Sequence, residues 1–300
     1  MDYFCFESVG CADRPIVIDF DKCEKDIAFS IGKSLSEFRK CLKKGQSDMA
    51  AYFDVSVSQY RKYEAGIDIP KMHSAARWSA ITGAPLPLLF KHTAYARFFP
   101  TEELQCRRYF SFVAKSSDRE FYSVLSLVSG KSGFGSEMPP HDRELEFELA
   151  LEDVIHHYYY RVAKNIEAIQ HHHQISRSEM SFLLGISSNT YARYITRPNE
   201  ISIPIVFYAR AHAALGIKTS WAETGKTFYA LVNKRRKDRT ALLENILQHL
   251  APDEANDFLE ILCFIGERRA KIQRLQVKLE SASLTLENNC KQDAELNSMS

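Results

Sequence analysis

Residues 46–66 read QSDMAAYFDVSVSQYRKYEAG, and this stretch decides the fold. Its apolar residues recur at helical spacing on both sides of a short interruption, which indicates two helices joined by a tight turn. A related stretch, RSEMSFLLGISSNTYARYITR, occupies residues 177–197, 131 positions later. The chain therefore carries an internal repeat of a helix-turn-helix unit.

The rest of the sequence is typical of a folded helical protein. The chain has 300 residues, of which 45% are hydrophobic and 26% are charged, enough for two domains with extensions. Apolar residues repeat at helical spacing almost throughout, and only residues 15–18, PIVI, suggest extended chain. We therefore predict an all-α fold.

Several classes of protein are not expected. The N-terminus lacks a basic region before an apolar core, and no run of about 18 apolar residues occurs, so neither secretion nor membrane spanning is supported. The seven cysteines include no C-x-x-C pair, which argues against a disulfide framework and a zinc ribbon. We expect a cytoplasmic protein with reduced thiols.

The formal net charge of +1 conceals an uneven distribution. Residues 33–97 contain 11 Lys and Arg against 5 Asp and Glu, and residues 161–218 contain 7 against 3. Residues 1–30 carry seven acids and three bases, and DRELEFE at 142–148 is acidic as well. Both repeated units are thus basic, as expected of segments that approach phosphates.

The repeat and the charges divide the chain into five segments. They are an acidic arm (1–30), a first helix-turn-helix domain (31–98), a helical connector with a glycine-rich hinge (99–150), a second, diverged helix-turn-helix domain (151–225) and a C-terminal helical dimerisation region (226–300). The hinge is GKSGFGS at 130–136. It begins like the end of a phosphate-binding loop, but that loop requires a glycine where the chain has Leu125, so we favour a linker.

Local signals mark helix ends. Three capping boxes pair a hydroxyl with a carboxylate three residues later: Ser34 with Glu37, Ser117 with Glu120, and Ser176 with Glu179. The three histidines at 171–173 would point about 100° apart on a helix and cannot converge on one metal ion, which favours a polar helix end. The basic run KRRK at 234–237 either adds phosphate contacts or is a solvated helix end, and the sequence leaves both open.

The C-terminal segment has the apolar spacing of a coiled coil. Its seam alternates at spacings of three and four and consists of Phe258, Ile261, Ile265, Arg268, Ile272, Leu275, Leu279, Ala282 and Leu286. Charged flanking residues leave only a narrow stripe to bury, which favours a symmetric homodimer through this helix. The alternative is that the helix packs on its own domain.

A helix-turn-helix reads DNA when one helix crosses the backbone and the next enters the major groove. In residues 46–66 the side chains expected to face inward are Met49, Ala50, Phe53, Val55, Tyr60 and Tyr63. Those left facing outward are Ser56, Val57, Ser58, Arg61 and Lys62. The outward set is placed to reach bases and phosphates.

The segment resembles the helix-turn-helix domains of the phage repressor and Cro family, also called the xenobiotic-response-element family. The resemblance covers about sixty residues in each half and implies a five-helix, lambda-repressor-like domain there. It implies Gln46 on a phosphate, Ser56 near the backbone, and Val57, Ser58 and Lys62 toward base edges. Two residues depart from the family pattern: Asp54 replaces the usual turn glycine, and Val57 suits a thymine methyl where a polar reader is common.

The family also commonly pairs a basic residue with a glutamate, here Arg39 with Glu64. The matching positions of the second copy are Gln170 and Ile195, so both members have changed together. Removing one alone would strand a buried charge at a cost of roughly 3 to 5 kcal/mol. The coupled change supports the alignment of the second copy.

For the second unit, the resemblance implies Arg177 and Ser187 on phosphates, with Ser188, Asn189 and Arg193 over bases. Asn189 can pair bidentately with adenine and Arg193 with guanine, each contributing on the order of 1 to 3 kcal/mol of discrimination. The alternative, that this copy is kept for packing or protein contacts, stays open.

The function expected from these features is sequence-specific transcription regulation, with double-stranded DNA as the partner of a homodimer. The alternative is a protein-interaction adaptor or antitoxin-like partner, in which one or both units bind protein. We find no nucleophile motif, metal-ligand spacing or nucleotide loop, and therefore expect no enzyme activity, no catalytic residue, no metal and no cofactor.

Overall fold

A computed structural model describes residues 15–132, 157–217 and 227–268. Within these ranges the regular structure is helical, and the β-type pairing is an isolated antiparallel bridge between Lys71 and Pro204. The predicted all-α fold is therefore confirmed for the described part of the chain. Residues 15–18 lie outside any helix, and the amide of Ile16 donates to Ala214 O at 2.6 Å.

The first half contains helices α1 to α7. They are α1 (Phe20–Glu24), α2 (Ile27–Cys41), α3 (Gln46–Phe53), α4 (Val57–Glu64), α5 (Met72–Thr82), α6 (Phe110–Lys115) and α7 (Asp118–Ser132). Three short 3-10 turns lie within residues 86–104, between α5 and α6.

Helices α8 to α13 follow in the other described ranges. They are α8 (Tyr158–His172), α9 (Arg177–Leu183), α10 (Ser188–Thr196), α11 (Val206–Leu215), α12 (Thr227–Gln248) and α13 (252–268). The first unit is defined below as residues 27–83, and the second unit as residues 158–216.

The backbone repeats with the sequence. Helices α2 and α8 have the same length, and the sequence offset between them equals that of the repeated motif. Left-handed residues recur at matching places, which are Asp26, Lys43 and Asp54 in one half and His157, Gln174 and Gly185 in the other. Asp54 has a φ of 56° where Gly185 has 63°, so the departure at Asp54 preserves the turn because Asp is among the few side chains that tolerate this conformation.

An aromatic core joins the helices of the first unit. The Phe53 ring stacks on Trp78 with centroids 5.7 Å apart, and Phe38 meets the same indole edge-on at 5.0 Å. The predicted inward residues Met49, Ala50, Phe53, Tyr60 and Tyr63 are buried, and Val55 is half-buried against the core. These core predictions are confirmed.

The second unit has a core at the equivalent places. Its buried residues include Ile166, Ile169, Met180, Leu184 and Tyr191. They face one another from α8, α9 and α10, whose packing repeats that of α2, α3 and α4. Burial of apolar surface thus holds each helix pair against its preceding helix.

Short α1, in the predicted acidic arm, contacts both halves of the chain. Glu24 accepts a hydrogen bond from the Tyr95 hydroxyl at 2.7 Å and forms an ion pair with Arg210 of α11 at 2.6 Å. The Arg210 guanidinium also lies over the Phe20 ring, 4.8 Å from its centroid. This part of the arm is therefore tied to the second unit.

Two of the three predicted capping boxes are confirmed. The amides of Ser117 and Ser176 donate to the carboxylates of Glu120 and Glu179, at 2.8 and 2.7 Å. The prediction at Ser34 is wrong, because α2 begins at Ile27. Ser34 lies inside that helix, where its hydroxyl donates to Ser30 O at 3.1 Å.

The predicted hinge and tail also differ from expectation where they are described. Residues 130–132 belong to α7, so the start of the hinge is helical, and residues 133–136 lie outside the described residues. The first seam residue, Phe258, is buried in its own chain beside Leu262. The seam beyond Arg268 lies outside the described residues.

Candidate nucleic-acid interface

The turn between α3 and α4 is closed by its own backbone and by a cap. The amide of Val55 donates to Ala50 O at 3.0 Å, and the Ser56 hydroxyl accepts from the amide of Gln59 at 3.1 Å. This cap satisfies one of the free amides at the start of α4. Ser56, implied by the resemblance at the DNA backbone, is therefore the N-cap residue of α4.

A chain of polar contacts fixes the face of α3 against α4. Glu64 pairs with Arg39 at 2.6 Å, as predicted, and accepts the Gln46 amide at 2.8 Å and the Tyr60 hydroxyl at 2.9 Å. Arg61 in turn donates to Gln46 Oε1 at 3.2 Å. The network therefore orients both Gln46 and Arg61.

Charge stabilises this network. Burial opposes ionisation of Glu64, but hydrogen bonds from Arg39, Gln46 and Tyr60 lower its pKa overall. The hydrogen bond from Arg39 to Glu64 raises the pKa of Arg39. Glu64 is thus a carboxylate that holds α4 against both α2 and α3.

The other candidate residues of α4 differ in their exposure. Ser58, Arg61 and Lys62 are exposed, whereas Val57 is half-buried and packs against the core. Gln59, between them in sequence, donates to Asp68 Oδ2 at 2.6 Å. The structure therefore places an exposed polar row on α4, formed by Ser58, Arg61 and Lys62, with the half-buried Val57 beside it.

The second unit begins its helix pair in the same way. Ser176 and Glu179 form the capping box of α9, and the Ser187 hydroxyl accepts from the amide of Thr190 at 3.1 Å to cap α10. The Arg39–Glu64 pair is replaced by one neutral contact, in which the Tyr191 hydroxyl donates to Gln170 Oε1 at 2.7 Å. Sequence reasoning located the lost pair and missed this replacement.

The candidate residues of the second unit are all exposed. Arg177 is the first residue of α9, and Ser188, Asn189 and Arg193 lie along α10 behind the Ser187 cap. Ser188 Oγ lies 3.0 Å from Ser181 Oγ, which links the two helices. The two units consequently present different side chains on equivalent helices.

Two further basic residues, Lys43 and Lys44, precede α3 and were not among the residues predicted from the sequence. Lys43 pairs with Glu260 at 3.2 Å, and Lys44 pairs with Glu267 at 2.8 Å, both acids being on α13. Arg108 also binds Glu260, and these hydrogen bonds lower the pKa of Glu260 to about 2. No sequence signal links residues so far apart in the chain.

The basic run at 234–237 is not a helix end, and three of its four side chains have partners in the same chain. It lies within α12, where Arg236 is buried and donates to Gly83 O at 3.2 Å. Arg235 pairs with Asp118 at 3.0 Å, and Lys237 pairs with Glu103 at 2.7 Å. Three of the four basic side chains therefore hold α12 against the first half of the chain.

The histidine run closes α8, which confirms the predicted helix end. Its last member, His173, is the C-cap residue and donates its backbone amide to Ile169 O at 3.1 Å. Among the described residues, no cluster of three or more His, Cys, Asp or Glu side chains is arranged to hold a metal ion.

Comparison with protein families, curated proteins and solved structures gave no match to this chain. Among the described helices, none is both long enough and apolar enough to cross a membrane.

Proposed function

We propose that the chain is a sequence-specific DNA-binding transcription regulator that inserts α4 and α10 into major grooves. The observation that carries the proposal is the exposed polar row of α4 beside α3, on a helix pair held rigid by the Glu64 network. A preorganised helix with exposed polar side chains at its start is the geometry that reads base edges.

The charges support the same assignment. Lys62 and Arg193 occupy equivalent exposed positions on α4 and α10, where a long cation can reach a base edge or a phosphate. Arg61 and Arg177 add exposed charge next to them. Because each neutralised phosphate releases a counterion, binding should weaken steeply as salt increases.

The proposal includes a homodimer formed through the C-terminal helix. Ile261 and Phe264 are 50% and 63% exposed on α13, although Phe258 and Leu262 of the same helix are buried in their own chain. This outward apolar face, rather than the whole predicted seam, is what a second copy would cover.

Selection from a random DNA pool tests the function. The pool is challenged with the wild type, Lys62→Ala, Arg193→Ala and the control Arg119→Ala, which removes an exposed charge on α7 outside both units. We expect one enriched motif, weakened by the first two changes and kept by the control. Absence of enrichment at every salt concentration would overturn the proposal.

One observation favours a second function, that of a protein-interaction adaptor or antitoxin-like partner. Phe182 is 64% exposed on α9, at a position equivalent to Ala51 in the first unit. An exposed aromatic side chain is typical of protein-binding surfaces. If Arg193→Ala leaves DNA binding intact while Lys62→Ala abolishes it, protein contact through Phe182 becomes the better assignment for the second unit.

A further inference from the structure

We infer that one chain by itself reads an operator made of two unlike half-sites in inverted orientation. The inference rests on the proposed function and specifies the DNA that it requires. It follows from how the two units are related in space.

The contact between the units has reciprocal twofold geometry. The amide of Met72 donates to Ile203 O at 2.8 Å, and the amide of Ile205 donates to Pro70 O at 2.9 Å. The bonded segments are residues 70–72 and 203–205. When the two units are aligned on Gly83 and Gly216, the C-cap residues of α5 and α11, these segments fall at equivalent positions. In that alignment Pro70 corresponds to Ile203 and Met72 to Ile205, so each hydrogen bond is the image of the other.

This local symmetry extends to the recognition helices. The bonded segments lie in the connections from α4 to α5 and from α10 to α11, of which the second is two residues longer and contains a 3-10 turn at Pro198–Glu200. Because the units share helix boundaries and left-handed turn residues, an operation that exchanges the bonded segments also approximately exchanges α4 with α10. One chain thus carries two recognition helices in an approximate twofold relation, which separate repressor subunits acquire by dimerisation.

Packing keeps the two units in this arrangement. Phe90 and Phe99, which follow the first unit, stack on Tyr208 of α11 with centroids 6.2 and 5.9 Å apart. The buried His212 ring lies 5.0 Å from Phe99. Together with the Glu24–Arg210 ion pair, this aromatic contact favours one rigid body over two independently tethered units.

The two helices would nevertheless read different bases. Val57, Ser58, Arg61 and Lys62 of α4 correspond to Ser188, Asn189, Ala192 and Arg193 of α10. A duplex backbone has twofold symmetry, so twofold-related helices meet it equivalently, while unlike side chains select unlike sequences. The expected operator has inverted geometry without a palindromic sequence.

Four measurements on the full-length chain test this. The motif selected by the wild type should contain two unlike halves about one helical turn apart. Native mass spectrometry of Phe264→Glu, which removes the proposed α13 dimer contact, should show one chain bound to that duplex. Inserting five base pairs between the halves should lower affinity about 100-fold, because the insertion turns one half-site to the opposite face.

The fourth measurement exchanges the reading residues. Ser188→Val, Asn189→Ser, Ala192→Arg and Arg193→Lys together give α10 the side chains of α4, and the selected motif should become an inverted repeat. The unmodified Val57, Ser58, Arg61 and Lys62 serve as the internal reference. The spacing test uses the wild type and therefore does not depend on the folding of this variant.

The outcomes separate the two proposals. Failure to select any motif would overturn the proposed function and this inference together. A palindromic wild-type motif, two chains of Phe264→Glu on one duplex, or indifference to the five-base-pair insertion would overturn the inference alone.

Discussion

Tyr191 donates its hydroxyl to Gln170 across α10 and α8 at 2.7 Å, in the place where Tyr60 meets the Arg39–Glu64 ion pair. Both tyrosines are fully buried, so both hydroxyls need an acceptor. In one unit that acceptor is a paired carboxylate, and in the other it is a neutral amide. The same fold is thus held by an ionic contact in one half and a neutral contact in the other.

Removal of the ionic contact should destabilise the protein more than removal of the neutral one. Arg39→Ala should lower the free energy of unfolding by roughly 2 kcal/mol, less than the cost of stranding a fully buried charge because the Arg39 side chain is 19% exposed. The matched change Gln170→Ala should cost about 1 kcal/mol. Chemical denaturation followed by circular dichroism measures both. A smaller loss for Arg39→Ala than for Gln170→Ala would contradict this assignment.

Glu64 should make stability depend on pH in the acid range. Its pKa is lowered in the folded protein, so its contribution is present above the unfolded pKa of about 4.3 and is lost as pH falls through the lower folded pKa. The difference in unfolding free energy between the wild type and Glu64→Gln should be constant above about pH 5 and shrink below it. Glu200→Gln, at a carboxylate 68% exposed, is the control, and an equal pH effect there would refute the role of Glu64.

The tail acids should restrain binding to DNA. Glu260→Gln with Glu267→Gln releases Lys43 and Lys44 just ahead of α3, which should raise affinity for nonspecific duplex several-fold and steepen its salt dependence by about 1 to 2 in the log–log slope. Both acids are more than half exposed, so stability should change little. Titration by fluorescence anisotropy measures the effect.

The control for that change is Asp253→Asn, which neutralises an exposed carboxylate elsewhere on α13. If Asp253→Asn raises affinity as much as the double change does, the effect is one of overall charge and not of the Lys43 and Lys44 contacts.

The outward face of α13 should govern self-association. Phe264→Glu places a charge on that face and should convert the proposed dimer to a monomer in sedimentation experiments, with unfolding unaffected because Phe264 is exposed. Ile67→Glu, at an apolar residue 74% exposed in the first unit, is the matched control. An unchanged mass for Phe264→Glu would rule out dimerisation through this face.

Much of the fold was predictable because its signals are local. Periodicity identified the helices around Phe53 and Tyr60, and the capping boxes at Ser117 and Ser176 marked true helix starts. The capping-box prediction at Ser34 was wrong because it rests on two residues alone. It does not take account of the apolar face of α2, which continues back to Ile27. Its spacing fits a cap, but burial of α2 favours a longer helix.

The candidate site was predictable in part for the same reason. Positions on one face of a short helix follow from its period, which is why Ser58, Lys62, Asn189 and Arg193 were expected outside and are exposed. The half-burial of Val57 and the hydrogen bonds of Gln46 to Glu64 and Arg61 depend on neighbouring residues of other helices. The helical period of the sequence does not specify which residues these neighbours are.

The sequence by itself determined the all-α class and the internal repeat, since both depend on spacing along the chain, and the family resemblance implied the Arg39–Glu64 pair. Only the tertiary structure decided that Met72 and Ile205 bond reciprocally across the units and that α13 places its acids on Lys43 and Lys44. Those contacts join residues far apart in the chain, and their geometry depends on how the buried surfaces of several helices fit together at once.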